Sequence, residues 1–244
     1  MSKFRNRIRD LGRAPAGFGF GALISSAKSR HMLVVAEVED AAAAAAAAEA
    51  GADAVILRGS ASALEGLTLA NHTLAGVWLE DATGSEVTAA QKAGADFFLF
   101  DDGRAQASAL TPTDIGRILL LGPDQETERL RSVAAIDLDA VVVMGEVGAT
   151  TVRDQIALRR VAGLTGAHLL VAANAVPDTD TLTAWRDAGA PAVLVSGTAA
   201  EIRAAVQAAE AVPASKRRDD RVTPALGAPR VSHDHDDDDD DDDL

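Results

Sequence analysis

The sequence predicts an α/β protein in which eight strand–helix units close into a single barrel, a (β/α)8 TIM barrel. Three observations carry that expectation. Apolar, β-branched runs recur near 32–38, 54–58, 76–80, 96–100, 117–121, 139–144, 167–172 and 191–196, each short enough for one buried strand. Helical stretches separate them over 40–50, weakly over 61–69, then over 84–93, 104–110, 125–135, 150–163, 178–188 and 199–211. Three helix-to-strand joints share one wording, Ala50-Gly51-Ala52-Asp53, Ala93-Gly94-Ala95-Asp96 and Ala188-Gly189-Ala190-Pro191. Glycine there suits the left-handed turn that ends a helix, and the small residues let the chain drop tightly into the next strand. An open doubly wound sheet usually has about five or six strands and reverses its strand order. Eight units in a row favour closure, and 244 residues match the roughly 200 to 250 that such a barrel needs.

Taken in order, residues 1–31 hold a basic amphipathic helix, with Phe4, Ile8 and Leu11 at helical spacing among Lys3, Arg5, Arg7, Arg9 and Arg13. It reads as a helix closing the barrel floor with its arginines solvated. A glycine-rich connection follows over 14–22. The barrel spans 32–212. From 213 to 244 the chain mixes proline, glycine and basic residues before the run Asp236 to Asp243, and so little apolar content predicts a disordered linker and tail. Asp234 and that run supply nine negative charges of the formal −14, leaving about −5 for the rest. The acidity belongs to the tail.

Cysteine is absent, which excludes disulfides and thiolate metal sites. No apolar run reaches the roughly 18 residues of a membrane span and no leader pattern precedes the fold, so a cytoplasmic location is expected.

Function in this architecture sits at the strand C-terminal ends. The residues there are Glu37, Glu39 and Asp40, then Arg58, Glu80 and Asp81, Asp101 and Asp102, Asp124, Glu146, Asn174, and Ser196-Gly197-Thr198. Period-two alternation sends Glu37 and Glu39 to one side of the first strand. Without a strand-end lysine, Schiff-base chemistry is excluded. His31, His72 and His168 fall at strand starts or in loops on the other face, which argues against a histidine base. Ser196-Gly197-Thr198 opens the last helix, where backbone N–H groups can hold an anion, with Asn174 as a potential second donor. An ordinary helix cap is the competing reading.

These strand ends resemble indole-3-glycerol-phosphate synthase, of the ribulose-phosphate-binding barrels. Ala36-Glu37-Val38-Glu39 is similar to that family's first-strand Ala-Glu-x-Lys, and Val77-Trp78-Leu79-Glu80-Asp81 to its third-strand segment ending Lys-Asp-Phe. Asp124 to Leu130 resembles the acidic opening of its fifth helix. Leu170 to Val176 and Ala192 to Gly197 resemble its final strand pair. The likeness spans roughly 32–211 and implies Glu37 as a catalytic glutamate, with Glu80 as a second candidate. It also implies phosphate on the turns holding Asn174, Ser196, Gly197 and Thr198. Glu39 and Glu80 stand where the family has lysines, and the glycine of the seventh-strand turn is replaced by Ala175. An anionic substrate would meet like charge, each close pair costing on the order of 1 to 4 kcal/mol.

Three functions follow as expectations. The first is a catalytically degenerate barrel acting as a scaffold or partner-binding protein, with a basic or multi-subunit protein partner held through the charged termini and nucleic acid disfavoured. The second is a lyase or aldolase using Mg²⁺ or Mn²⁺ on some of Glu37, Glu39, Glu80, Asp101 and Glu146, since hard cations take oxygen ligands. The third retains phosphate-sugar isomerase or synthase chemistry through Ser196, Gly197 and Asn174.

Overall fold

A computed structural model describes residues 2–11, 30–148 and 150–214. The glycine-rich connection and nearly all of the expected linker and polyaspartate tail lie outside the described residues.

Eight parallel strands, β1 (Leu33–Val38), β2 (Ala54–Arg58), β3 (Leu74–Trp78), β4 (Phe97–Asp101), β5 (Gly116–Leu120), β6 (Ala140–Gly145), β7 (His168–Ala173) and β8 (Ala192–Ser196), pair in sequence order. β8 returns to β1, with Leu33 opposite Ala192 and Glu37 opposite Ser196. The barrel is closed. Helices α2 (Ala41–Glu49), α3 (Gly84–Lys92), α4 (Thr127–Val133), α5 (Val152–Thr165) and α6 (Thr179–Asp187) lie between strands, and α7 (Ala199–Ala211) follows β8. Most begin on a side chain suited to the task. Asp40 and Asp178 each accept a backbone N–H three residues on, and Thr83, Thr151 and Thr198 form reciprocal capping boxes with Glu86, Asp154 and Glu201.

Two expected helices differ. The stretches 61–69 and 104–110 contain only single 3-10 turns, Ala61–Leu64 and Ala107–Leu110. In the second, Gly103 N–H donates to Asp101 Oδ1 at 2.7 Å and Arg104 reaches across to Asp81. A helix starting at 104 would forgo those contacts.

Alternation along each strand divides the core in two. Leu33, Val35, Ala54, Ile56, Phe97, Leu99, Ile118, Val142, Leu170 and Leu194 pack inside the barrel. Val34, Val55, Val77, Leu79, Phe98, Val141 and Val171 face the helices. Inside, Phe97 lies opposite Gly76 on one neighbouring strand and Gly116 on the other. A Cβ on Gly76 would fall 2.2 Å from the Phe97 ring, so one large side chain fills the space that two absent ones leave.

The floor is closed by α1 (Lys3–Arg9), as its apolar spacing predicts. Phe4 is fully buried with its ring 4.9 Å from that of Phe97, and Ile8 joins the same interior cluster. The expectation of solvated arginines is corrected. Lys3 pairs with Asp96 at 2.7 Å, Arg5 with Asp139 at 2.8 Å and Arg7 with Asp53 at 3.4 Å. Ser2 Oγ also donates to Asp139. Asp53 and Asp96 further accept the backbone N–H of Val34 and Ala75 from the preceding strands, each at 3.0 Å. These carboxylates are nearly buried, and a buried carboxylate needs both a cation and hydrogen bonds.

Candidate functional site

At the opposite end, the inward positions of the strands run out of apolar residues and become polar. β1 contributes Glu37, β2 Arg58, β3 Trp78 and β8 Ser196, all following the barrel-facing parity of Val35, Ile56, Gly76 and Leu194. Arg58 Nε donates to Glu37 Oε1 at 2.5 Å, and Ser196 Oγ donates to Glu37 Oε2 at 2.9 Å. Both oxygens of the one family-matching carboxylate are therefore engaged. The Arg58 guanidinium also lies 3.9 Å from the Trp78 ring centroid, a cation–π contact that holds it flat across the mouth.

Glu80 approaches Arg58 at 4.0 Å and Arg104 at 3.0 Å, while Arg104 grips Asp81 with two parallel hydrogen bonds of 2.9 Å. Arg129 Nη2 donates to both oxygens of Asp102, at 3.0 and 2.7 Å, and its Nη1 touches Asp124 at 3.4 Å. The acidic groups that dominate the strand ends are thus largely paired with arginines. Arg104 and Arg129 enter from loops and helices 23 and 27 residues away from their partners, which no strand-end inspection reveals. These pairs raise the guanidinium pKa values of both arginines, chiefly through the hydrogen bonds they donate to Asp81 and Asp102.

The candidate metal set is not drawn together. Glu39 lies beyond the end of β1 and is exposed, so the expected pairing of Glu37 and Glu39 along one strand face ends at Val38. Asp101 is occupied by Gly103, and Glu37 and Glu80 by arginines. Among the described residues no group of three or more such side chains has a metal-holding arrangement.

The candidate phosphate residues are likewise committed. Thr198 caps α7, and the Glu201 carboxylate accepts from both its N–H at 2.7 Å and its hydroxyl at 2.8 Å. A Cβ on Gly197 would fall 2.7 Å from Glu201 Oε2, so the missing side chain is what lets that carboxylate in. Where a bound anion would meet the helix N-terminus, the chain places its own. Asn174 Oδ1 accepts from Val147 N–H at 2.9 Å and braces the β6–α5 loop.

The backbone N–H of Thr198 holds the Glu201 carboxyl below the usual range, and the Thr181 and Thr151 contacts do the same for Asp178 and Asp154. Groups depressed in the folded state add stability above their unfolded values, 4.5 for Glu and 3.8 for Asp, and lose it as pH falls through the folded ones. The thermal midpoint is expected to decline slightly as pH falls through about 6.5, where partial burial holds the His168 pKa down and opposes its protonation, and to fall further below about 4.5 as the carboxylates protonate. A midpoint rising between pH 5 and 3 would contradict this.

No family model matches the chain, and no curated protein matches it. Solved structures do. The KGPDC of Streptococcus mutans is 13% identical over 76% of this chain and 100% of its own, with a TM-score of 0.57. The thiamine phosphate pyrophosphorylase of Pyrococcus furiosus is 13% identical over 75% and 98%, at 0.55. The dihydropteroate synthase of Xanthomonas albilineans is 16% identical over 75% and 94%, also at 0.55. At such identities the likeness is one of fold. The resemblance to indole-3-glycerol-phosphate synthase is one of short strand-end motifs, and none of these three structures is of that enzyme. Among the described residues, no helix is long and apolar enough to cross a membrane.

Proposed function

We propose that this protein is a phosphate-binding-type barrel, close to indole-3-glycerol-phosphate synthase, that has lost its chemistry and acts as a scaffold or partner-binding protein. One observation carries the reading: the N-terminus of α7 is filled by Glu201, and the retained Glu37 is held between Arg58 and Ser196. A carboxylate bound on both oxygens is a poor base, and an occupied helix terminus leaves a phosphate nothing to displace but a covalently tethered competitor. Lys3, Arg5 and Arg7 are spent on the floor, which leaves the acidic C-terminal segment as the contact for a basic partner.

Purified protein is expected to leave the family substrate, carboxyphenylamino-deoxyribulose phosphate, unconverted. Inorganic phosphate at about 10 mM should move the thermal midpoint by less than about 1 °C relative to chloride of equal ionic strength, because a ligand stabilises only in proportion to its binding. Turnover, or a saturable shift of several degrees, would overturn the proposal. The metal-dependent lyase reading remains testable beside it: Mg²⁺ or Mn²⁺ should raise the midpoint, and Glu37→Gln or Glu80→Gln should abolish the rise.

A further inference from the structure

Away from the barrel axis, a cleft of about 240 Å³ opens at the same end, between the tip of β6, α5 and α6. Its walls are Val143, Leu158, Val161 and the indole of Trp185. Gly145 lets Val171 and Trp185 pack close against the strand, since a Cβ there would lie 2.3 Å from Val171 Cγ1 and 2.9 Å from Trp185 Cζ2. Four polar side chains line the cleft, Gln125, Glu146, Thr150 and Asp154, and both carboxylates are exposed to solvent. Thr150 Oγ1 is buried without a hydrogen-bond partner, an arrangement that native proteins rarely tolerate unless something supplies one. Glu146 lines the cleft with no ion pair to any described residue, and Asp154 adds a second carboxylate already tied to Thr151. No Lys, Arg or His contributes to the lining.

The cleft is larger than the roughly 150 Å³ cavity that holds a benzene ring and smaller than the roughly 300 to 1,000 Å³ of drug-sized sites. We infer that the β6–α5–α6 cleft is a binding site for a small single-ring organic cation, its ring against Trp185 and Leu158 and its ammonium between Glu146 and the free hydroxyl of Thr150. The hydroxyl oxygen accepts an N–H and the carboxylate supplies the countercharge, so an anion of the same shape meets repulsion where the cation meets a partner. The site is separate from Glu37, Arg58 and Glu201, and it stands or falls independently of the scaffold reading.

The test uses the full chain with Trp78→Phe, which leaves Trp185 as the only indole. 2-Phenylethylammonium and phenylacetate serve as cationic and anionic probes with the same ring. The cation is expected to shift Trp185 emission saturably in the millimolar range or below, with phenylacetate at least about tenfold weaker. Glu146→Gln should bring the two within about threefold, and Thr150→Val, close to isosteric, should weaken only the cation by about threefold or more. Ala157→Phe, at an exposed helix position lining the cleft, should remove saturable binding of both probes while unfolding stays cooperative. Equal affinity for the two probes, no saturation by the cation up to about 10 mM, or full binding by a folded Ala157→Phe protein would each overturn the inference.

Discussion

Phe4→Ala is expected to lower the unfolding free energy by about 3–5 kcal/mol, the range for emptying a fully buried aromatic site. Phe4 has no solvent exposure and packs its ring, tilted by 42°, against Phe97 inside the barrel, while its helix is also held by three ion pairs. The helix therefore cannot sink to fill the hole without breaking those pairs, and the cavity stays. Urea unfolding of the full chain reads the difference. A loss below about 1 kcal/mol would mean that α1 adheres by its charges alone. Should Phe4→Ala prove too unstable to purify, Phe4→Leu, which keeps most of the volume, should give a smaller loss of the same sign.

Gly76→Ala is expected to destabilise by about 1–3 kcal/mol through overpacking. The new methyl would sit 2.2 to 2.7 Å from three atoms of the Phe97 ring, which is itself fully buried and backed by Phe4. A flexible surface side chain would move aside, but this ring has Gly116 and Phe4 as its only spare directions, and Phe4 already fills one. Combining Gly76→Ala with Phe97→Leu should recover part of the loss. That rescue separates overpacking from a change in strand propensity, which would be indifferent to residue 97. A neutral Gly76→Ala would show that the ring has room to turn.

The strands were legible because each is a short apolar run, three of them entered through the same Ala-Gly-Ala turn, and β2 begins and ends where its sequence pattern does, at Ala54 and Arg58. Less legible were the stretches 61–69 and 104–110, where composition allowed a helix; in the second, the local Asp101–Gly103 turn and the nonlocal reach of Arg104 to Asp81 decided otherwise. The inward strand-end residues were readable one by one, including Glu37 and Arg58. Their pairing was not, since Arg104, Arg129 and Glu201 act from outside the strands and only the closed barrel brings them to the mouth. The floor did carry a signal. Asp53, Asp96 and Asp139 stand 43 residues apart in turn, each just before an even-numbered strand. Read only as the end of a helix-stop turn, the first two hide what the spacing implies: a repeat of two strand–helix units that places carboxylates around the floor for Lys3, Arg5 and Arg7. The equivalent place before β8 is Pro191, 52 residues after Asp139, and it carries no carboxylate.

The way α1 is anchored sets an order on biosynthesis. Ser2 bonds to a residue 137 positions later, and Arg5 to one 133 positions later, so the helix leaves the ribosome well before the far side of its seat exists. At about 5–20 residues per second that interval is on the order of 10 s, long against the roughly microsecond formation of a helix. During it Phe4 and Ile8 have no barrel to enter, and they are apolar bait for chaperones or for other nascent chains. Sealing the floor is thus a late event in the life of an early segment. A chain arrested before Asp139 would carry a plug with nothing to stopper.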